Sequence, residues 1–496
     1  MDYLLGFDIG SSSVKASLID GRTGDCVASA FAPKQEMPIT AVHSGWAEQS
    51  PDMWWDNLKV AVNEVFAQAP VKADAVAAIG ISYQMHGLVL VDRNGNPLRP
   101  AIIWCDSRAT GIGAAAFEAI GQHRCLESLL NSPGNFTASK LKWVMDNEPE
   151  IYEKTDKFLL PGDYIALKLT GLSHTTSSGL SEGILWDFRK NDVADMVLSY
   201  YGIAREKVAA LTPTFAVQGQ VTAEAAAALG LRKGIPVSYR AGDQPNNALS
   251  LNVLEPGEVA ATAGTSGVVY GVSGAVRYDP QSRVNTFAHV NHSADRCRLG
   301  ILLCINGTGI LNSWLRRLTA QTSYEEMNRQ AAEVPVGAEG LLMFPFGNGA
   351  ERVLGNRNPG AAISGLNFNI HQSAHLYRAA QEGIAWSFRY GMDVMRAMGM
   401  EARIVRAGKA NMFLSPLFRD TLATISGAVI ELFNTDGAAG AARGAGIGCG
   451  YYASPAEAFA TLQKLETTEP VAANTAACNE AYMCWKEQLE KNLSLL

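Results

Sequence analysis

Two aspartates stand next to short turns of small residues that could bind phosphate. Asp8 ends an apolar run just before the turn GSSS at 10–13, and Asp243 lies in YRAGDQPNNALSLN, upstream of a second turn, GTSG, at 264–267. Backbone N–H groups and hydroxyls in such turns can converge on phosphate oxygens, because glycine leaves no side chain in the way. A carboxylate at the end of an apolar strand is costly to bury without a cation or donors. Two such turns facing one cleft could hold a triphosphate.

Each aspartate also has an ordinary structural interpretation. Asp8 is compatible with an Asx-type turn, and Asp243 with a helix N-cap, because Asp often occupies both positions. The sequence has no GxxxxGK[ST] loop and no correctly spaced GxGxxG, so the two commonest phosphate-binding designs are absent. Most histidines, including His289 and His292, show no metal-ligand spacing and are interpreted as structural or exposed. Nucleotide binding would therefore depend on the two small-residue turns.

The elements that must position these residues follow a repeated pattern. Residues 3–20 form an apolar run, a polar turn and a second apolar run, which predicts a β-hairpin. A related pattern at 258–272 indicates a duplicated domain. Strands are predicted at 76–82 and 87–92 around a turn, and apolar residues at three- and four-residue steps predict an amphipathic helix over 375–398. Strands alternating with helices indicate the α/β class, with domains at 1–245 and 246–496.

Length, charge and cysteine content disfavour several classes of protein. The chain has 496 residues, 47% of them hydrophobic, and its net charge of −7 comes without a Lys- or Arg-rich run, which disfavours nucleic-acid binding. No apolar stretch reaches the about 18 residues of a membrane span. Asp2 stands where a signal peptide would carry positive charge, so secretion is not expected. The eight cysteines include no CxxC pair, which favours a reducing cytoplasm.

Seven segments along nearly the whole chain carry a family resemblance. The first are LGFDIGSSSVKASLID, GISYQMHGLVLVD and RPAIIWCDSRA, followed by AGDQPNNAL and PGEVAATAGTSGVV. The last are LLMFPFGNGAERVLGNRNPGAAISGL, with the segment HLYRAAQEGIAW after it, and RAGKANMFLSPLFRDTLA. Together, and in this order, they resemble the FGGY family of carbohydrate kinases. One short match would be weak, whereas seven in the family's order are specific.

The resemblance implies a fold and a reaction. The fold would be two ribonuclease-H-like domains, of the type shared by actin and hexokinase, around a central cleft that closes on ATP and a sugar. The reaction would be ATP-dependent phosphorylation of that sugar with Mg²⁺. By the same resemblance, Asp243 is the general base and Asp8 helps to position magnesium. Ser11, Ser12 and Ser13 would line the phosphates.

The resemblance also implies residues that contact the two substrates. Met85 and His86 would contact the sugar, and Gln244 would donate to its hydroxyls. A half-buried structural role is the ordinary interpretation of His86. The nucleotide would be bound by Gly264, Thr265, Gly309, Gly408 and Asn411.

Substrate choice stays open at this point. Trp104, Asp106 and Arg108 suit polyol contacts, but they equally suit a core tryptophan beside an ion pair. The MHG and GDQ segments are similar to those of family members that phosphorylate xylulose, with ribulose, fuculose, gluconate, erythritol and glycerol as alternatives. An ATP-hydrolysing binding module of the actin or chaperone type is the alternative outside the kinases.

Two segments depart from the family pattern, and the oligomeric state is a separate open question. The segment GAERVLGNRNP and the pair Ala407-Gly408 differ from the usual family residues, which leaves local loop geometry and nucleotide preference open. Neither touches the phosphoryl-transfer residues. A homodimer is compatible with the sequence, which does not determine the oligomeric state.

Overall fold

The computed structural model describes residues 2–69, 71–321 and 323–496, in which strands alternate with helices. The strands are β1 Tyr3–Ile9, β2 Val14–Asp20, β3 Cys26–Ala32, β4 Glu48–Gln49, β5 Val76–Tyr83, β6 Val89–Val91, β7 Ala101–Ile102, β8 Lys157–Leu159, β9 His174–Thr175, β10 Trp186–Asp187, β11 Asp192–Val193, β12 Ala210–Leu211, β13 Phe215–Gln220, β14 Pro236–Gly242, β15 Glu258–Ala263, β16 Gly267–Ser273, β17 Asn285–Ala288, β18 Leu299–Ile305, β19 Leu342–Phe344, β20 Ala362–Ser364, β21 Ile404–Gly408, β22 Val429–Phe433 and β23 Lys464–Thr468. The helices are α1 Pro51–Gln68, α2 Thr110–Ile120, α3 Gln122–Leu129, α4 Thr137–Asn147, α5 Pro149–Lys154, α6 Pro161–Thr170, α7 Ser177–Glu182, α8 Asp195–Tyr201, α9 Ala223–Leu229, α10 Asp243–Ser250, α11 Gly309–Leu318, α12 Tyr324–Ala332, α13 Ser373–Ala397, α14 Pro416–Ser426, α15 Gly437–Gly448, α16 Pro455–Phe459 and α17 Thr475–Ser494.

The chain forms two compact units. Unit 1 comprises Met1–Asn252, Phe287–Arg298 and Thr435–Leu462, and unit 2 comprises Val253–Thr286, Leu299–Asn434 and Gln463–Leu496. The predicted boundary near residue 245 lies close to the end of the first segment of unit 1. Two later segments of unit 1 lie beyond that boundary, because the chain returns to the first unit twice.

Unit 1 is built on a mixed sheet in the order β13-β14-β5-β1-β2-β3. The predicted hairpin is confirmed, since β1 and β2 pair antiparallel. β5 is parallel to both of its neighbours, with Tyr83 paired to Ile9 of β1 on one side and to Gly242 of β14 on the other. Three parallel strands therefore end at the same level. The second predicted strand of this region exists as β6, but it pairs with β8 and is not part of this sheet.

A helix from late in the chain covers the sheet of unit 1. α15 packs on β1, β5 and β14. A Cβ at Gly6 would lie 1.8 Å from the carbonyl oxygen of Ala438, and one at Gly80 would lie 1.9 Å from that of Ala441. Glycine at these two strand positions is what permits the close approach. The packing brings the N-terminus of α15 to the carboxyl end of β1.

Unit 2 repeats the strand arrangement of unit 1. Its sheet has the order β17-β18-β16-β15-β21-β22-β23. β15 and β16 form the second predicted hairpin, β18 extends it antiparallel, and β21 and β22 add in parallel. The order β3-β2-β1-β5-β14 in unit 1 thus corresponds to β18-β16-β15-β21-β22 in unit 2, as in ribonuclease-H-like folds. The predicted α/β class and the duplicated domain are confirmed.

Each unit has its own hydrophobic core, and a long helix lies in the core of unit 2. The helix predicted at 375–398 is confirmed as α13, but it is not amphipathic throughout, because residues 377–388 are all buried. α12, α14 and β19 pack on it from different sides. Its polar residues are therefore paired inside the core, as in the 2.6 Å ion pair between Arg378 and Glu382.

The cysteines and the helices relate to the predictions about disulfides and membrane spans. All eight cysteines are free thiols. Among the helices that the structure describes, none combines the length and the apolar character needed to cross a membrane.

Candidate active site

The carboxyl edge of the sheet in unit 1 carries both predicted carboxylates. Gly10 follows β1, Gln84 follows β5 and Asp243 follows β14, so the strand register makes these three residues neighbours. A cavity of about 500 Å³ opens at this edge, which is a usual size for a small-molecule site. Its lining consists of Asp8, Gly10, Ser11, Ser12, Ser13, Lys15, Phe31, Gln84, Trp104 and Asp243. The structure thus brings the predicted base, the predicted magnesium ligand and the serine turn together.

Asp243 is the first residue of α10. Its N-cap interpretation is wrong, because Gly242 is the N-cap residue and no side chain caps this helix. Burial raises the pKa of Asp243 to about 7, and the charge of Asp8 adds to the rise, while hydrogen bonds from Gln244 oppose it. A carboxyl group with this pKa can accept a proton from a hydroxyl near neutral pH. Gln244 stands beside Asp243, as predicted, but outside the described lining of the cavity.

Asp8 lies within β1, opposite Ser82 of β5. Its Oδ1 accepts a hydrogen bond from the Ser82 hydroxyl at 2.9 Å, so the Asx-turn interpretation is wrong. Its Oδ2 faces the first turn of α15, where a Cβ at Gly437 would lie 2.5 Å away. Burial raises the pKa of Asp8; Ser82 and Lys15 oppose the rise, and Asp436 adds to it.

A lysine adds positive charge to this cavity. The Nζ of Lys15 lies 2.5 Å from Oδ2 of Asp436, and both side chains are about one-third exposed. Asp436 is also the N-cap of α15, where its Oδ1 accepts from the backbone N–H of Ala439 at 2.9 Å. A solvated pair of this kind adds little stability. The pair does hold the ammonium group of Lys15 at the cavity lining, where it can attract an anionic ligand.

The lining of this cavity fits a magnesium ion that is held largely by phosphate and water. Mg²⁺ takes oxygen ligands, usually one or two carboxylates together with substrate phosphates. Asp8 and Asp243 supply carboxylates to the same cavity. Within residues 2–69, 71–321 and 323–496, no group of three or more His, Cys, Asp or Glu side chains is arranged to bind a metal. The donor set therefore fits a cation that keeps phosphate or water oxygens as its other ligands.

Met85 and His86 follow Gln84 in the turn after β5, outside the described lining of the cavity. Met85 is buried against Gly242, where a Cβ would lie 2.6 Å from its Cγ. The ring of His86 donates through Nδ1 to the backbone oxygen of Glu182 at 2.9 Å, and it meets Phe136 edge-on at 4.7 Å. The backbone of His86 is left-handed, with a φ of 62°, which is uncommon outside glycine. Contacts on several sides hold this turn.

A buried lysine holds the turn that carries His86. Lys140 of α4 is 0% exposed, and its Nζ donates to the backbone oxygens of His86 and Ile103, each at 2.9 Å. Burial lowers the pKa of Lys140 to about 7, and the charge of Asp106 opposes this. Lys140 thus joins the turn after β5 to the segment after β7, which carries Trp104.

Trp104, Asp106 and Arg108 separate into two roles. Trp104 is 54% exposed, lines the cavity and donates from Nε1 to the hydroxyl of Ser11 at 3.2 Å, so it is not a core residue. Asp106 and Arg108 form a buried ion pair at 2.7 Å. The guanidinium of Arg108 also lies 3.8 Å from the ring centroid of Trp46. The ion-pair interpretation therefore holds for Asp106 and Arg108.

Unit 2 has a cavity of about 570 Å³ at its own hairpin turn. Gly264, Thr265, Gly309 and Asn411 line it, whereas Gly408 at the end of β21 is not among the described lining residues. The N–H of Gly309 donates to the oxygen of Gly264 at 2.7 Å, and a Cβ at Gly309 would lie 2.4 Å from that oxygen. Glycine at this position lets α11 begin directly beside the turn. Four of the five predicted nucleotide residues are thus in one place.

Comparisons with known proteins assign the chain to a family. The N-terminal domain model of the FGGY family of carbohydrate kinases matches residues 3–250, and the C-terminal domain model matches residues 259–452. The chain belongs to the FGGY family of carbohydrate kinases. It is 31% identical to the xylulose kinase of Escherichia coli over 444 residues, which cover 89% of this chain and 88% of that protein.

The chain is also similar to a second curated relative and to a solved structure. The xylulose kinase of Bacillus subtilis is 29% identical over 465 residues, which cover 92% of this chain and 90% of the relative. The crystal structure of xylulose kinase from Rhodospirillum rubrum matches with a TM-score of 0.87 and 25% identity, over 99% of this chain and 98% of that one.

The sequence analysis missed four buried polar residues of this carbohydrate kinase. Gln84 and Lys140 lie at the unit 1 cavity and its adjoining turn, and Glu182, whose pKa burial raises strongly, lies behind Asp243. In unit 2, Asn312 lines the cavity at the hairpin turn, and its buried Oδ1 has no hydrogen-bond partner in the protein. Gln84 stands directly before the predicted Met85 and His86, which is the one local signal that could have indicated it.

Proposed function

We propose that this kinase transfers the γ-phosphoryl group of ATP to a hydroxyl of a ketose, with D-xylulose as substrate and D-xylulose 5-phosphate as product. The observation that carries the proposal is that Asp243 lines the same cavity as Asp8 and the serine turn. Burial raises the pKa of Asp243 to about 7. A base, a carboxylate for a cation and a phosphate-binding turn are the parts that phosphoryl transfer needs.

In the proposed mechanism, Asp243 orients the attacking hydroxyl and takes its proton as the new O–P bond forms. The bond between the γ-phosphorus and the bridging oxygen breaks, and ADP leaves. A sugar hydroxyl has a high pKa, so the proton moves as bonding to phosphorus develops and not before it.

The phosphate oxygens need positive charge and hydrogen-bond donors. Ser11, Ser12 and Ser13 would donate hydroxyl and backbone N–H groups to them, and Lys15 would add an ammonium charge. Asp8 would hold Mg²⁺ together with the phosphates; when bound, this ion neutralises charge on the phosphate oxygens. In unit 2, we assign nucleotide binding to Gly264, Thr265, Gly309, Gly408 and Asn411, four of which line the cavity of that unit.

The choice of a ketose is supported by the relatives and by the residues behind the base. The relatives at 31% and 29% identity both carry the name xylulose kinase. Met85 packs against Gly242, and Gln244 follows Asp243, so two of the residues assigned to the sugar adjoin the proposed base. Trp104 lines the same cavity with an exposed ring, which suits the apolar face of a sugar.

A panel assay tests this proposal. ADP release would be measured with Mg²⁺ and ATP for D-xylulose, ribulose, fuculose, gluconate, erythritol and glycerol, and without a sugar. We expect the highest kcat/KM with D-xylulose and low turnover without an acceptor. A clear preference for another sugar or polyol would contradict the substrate and leave the reaction intact. ADP release that ignores every sugar would instead indicate an ATP-hydrolysing module of the actin or chaperone type.

A further inference from the structure

Gln84 carries a buried carboxamide that the protein itself does not satisfy. The residue is 3% exposed, and neither Oε1 nor Nε2 has a hydrogen-bond partner in the protein. Its backbone N–H is paired with the carbonyl of Ile9 at 2.9 Å, so the backbone at this point is fixed. Buried polar atoms without partners are rare and costly in folded proteins. Gln84 is one of the residues that line the cavity, so a ligand bound there is a candidate source of the missing partners.

The strand order places Gln84 between the two reacting groups of the proposed mechanism. β5 lies between β1 and β14, and the register makes Gly10 and Asp243 the neighbours of Gln84. All three residues line the same cavity. Phosphate would lie on the Gly10 side and the attacking hydroxyl on the Asp243 side. Gln84 therefore stands where acceptor and phosphoryl group meet.

The chemistry of a carboxamide limits what it can bind at this place. Nε2 only donates and Oε1 only accepts. Phosphoryl oxygens accept, so they satisfy Nε2 and leave Oε1 without a partner. The proton of the attacking hydroxyl goes to Asp243, so Oε1 needs a different donor. A second hydroxyl, on the carbon next to the attacking one, provides that donor.

We propose that Gln84 contacts both substrates of this kinase: Nε2 donates to an oxygen of the transferred phosphoryl group, and Oε1 accepts from the sugar hydroxyl adjacent to the attacking one. The inference rests on the proposed function and narrows its substrate class to polyols with adjacent hydroxyls at the reacting end. It also makes Gln84 a residue that holds the two substrates in line, in addition to the base.

The first test replaces the amide with an apolar side chain of similar length. We expect Gln84→Met to lower kcat on D-xylulose about tenfold or more, because a donor to the transferred group is lost. The melting temperature should stay the same or rise, since two unpaired polar atoms leave the interior. The matched control is Gln218→Met. Gln218 is also 3% exposed and in unit 1, and its Oε1 likewise has no hydrogen-bond partner in the protein, but its Nε2 donates to the backbone oxygens of Pro213 and Thr214 at 3.0 and 3.1 Å.

The control should behave in the opposite way. Gln218→Met loses two satisfied hydrogen bonds outside the described lining of the cavity, so its melting temperature should fall and its kcat should stay near that of the parent. If Gln84→Met keeps kcat within about twofold of the parent and melts lower, Gln84 is structural and the inference is wrong. Gln84→Asn retains the amide but shortens it; it should lose kcat as well, which keeps the test decisive if the Met variant does not fold.

A second test addresses the adjacent hydroxyl directly. The parent should prefer D-xylulose over 4-deoxy-D-xylulose by about tenfold or more in kcat/KM, and Gln84→Met should reduce that preference several-fold. An undiminished preference in the variant would overturn the hydroxyl contact. A parent without sugar-dependent turnover would contradict the proposed function itself. A parent active only on another polyol would be tested with that polyol and its own deoxy analogue.

Discussion

Asp8 and Asp243 line the same cavity, and the charge of Asp8 helps to raise the pKa of Asp243, although burial is the larger cause. The two carboxylates thus oppose each other's ionisation in the free protein. A cation bound at Asp8 would relieve this repulsion and favour the ionised, proton-accepting form of Asp243. In the proposed mechanism, arrival of a metal–nucleotide complex would therefore favour the active form of the base.

Replacing Asp243 by asparagine keeps the shape of the side chain and removes its basicity. We expect Asp243→Asn to lower kcat on the best sugar by roughly 10²–10⁴. Nucleotide affinity should change little, because the residues assigned to the nucleotide remain. Steady-state kinetics and nucleotide titration on one preparation measure both quantities. An Asp243→Asn enzyme with near-normal kcat would refute the assignment of the base.

The raised pKa of Asp243 predicts how activity depends on pH. Only the ionised carboxylate can accept a proton, so kcat/KM for MgATP, which reports the protein before the cation binds, should fall as the pH drops through about 7 and should be level above it. At pH 6 we expect about a tenfold loss relative to the plateau. Asp8 and Glu182 also face Asp243 electrostatically, so the observed value belongs to the group. A profile that stays flat from pH 5.5 to 8.5, with stable protein throughout, would contradict a base of this pKa.

The edge that carries these carboxylates was predictable from sequence in part. The hairpin turns and their aspartates are local patterns, because apolar runs around small residues indicate strands and turns directly. The neighbourhood of Gly10, Gln84 and Asp243 depends on parallel pairing of β1, β5 and β14, which no local pattern reveals. The packing of α15 on β1 and β5 brings together residues more than 350 positions apart in the chain, which no local pattern reveals either.

Burial of polar side chains was the main feature that the sequence did not reveal. Lys140 and Glu182 are polar residues in mixed segments, and composition alone would place such residues at the surface. α13 was predicted as amphipathic from its apolar steps, but helices and a strand pack around it and bury its polar face as well. Tertiary packing decided the outcome in each case.

Asp8 is expected to govern the magnesium requirement. Asp8→Ala removes the carboxylate that Ser82 orients, so turnover should fall, and more Mg²⁺ should be needed for half-maximal activity. The control is Asp56→Ala on α1, whose side chain is 66% exposed. Activity measured against Mg²⁺ at fixed ATP gives both values. Superimposable titrations for Asp8→Ala and the parent would contradict the magnesium role and leave Asp8 as a structural residue.

His86 is expected to contribute to sugar affinity. A neutral hydrogen bond to a substrate hydroxyl contributes about 0.5–1.5 kcal/mol, so His86→Ala should raise the sugar KM about two- to tenfold, with little change in the KM for ATP. Some kcat should be lost too, and ATP hydrolysis without sugar should stay as low as in the parent. The control is His123→Ala, at a side chain that is 80% exposed. An unchanged sugar KM with a lower melting temperature would end the assignment.

Lys140 is expected to act on the sugar through the backbone of the turn after β5. Lys140→Met keeps the length of the side chain and removes the two hydrogen bonds to the oxygens of His86 and Ile103. Because His86 has a left-handed backbone, the turn should relax once its carbonyl is released. The sugar KM should rise several-fold, the KM for ATP should hold, and the melting temperature should fall, since two buried carbonyls lose their partner.

The matched control for Lys140 lies on the same helix. Lys142 is partly exposed and pairs with Asp146 at 2.5 Å, so Lys142→Met should leave both KM values and the melting temperature close to those of the parent. The separation of the two KM values is the decisive measurement, because a general loss of folded protein would lower the apparent kcat without changing either one. If Lys140→Met lowers the melting temperature while the sugar KM stays at the parent's value, Lys140 stabilises unit 1 without positioning the turn that carries His86.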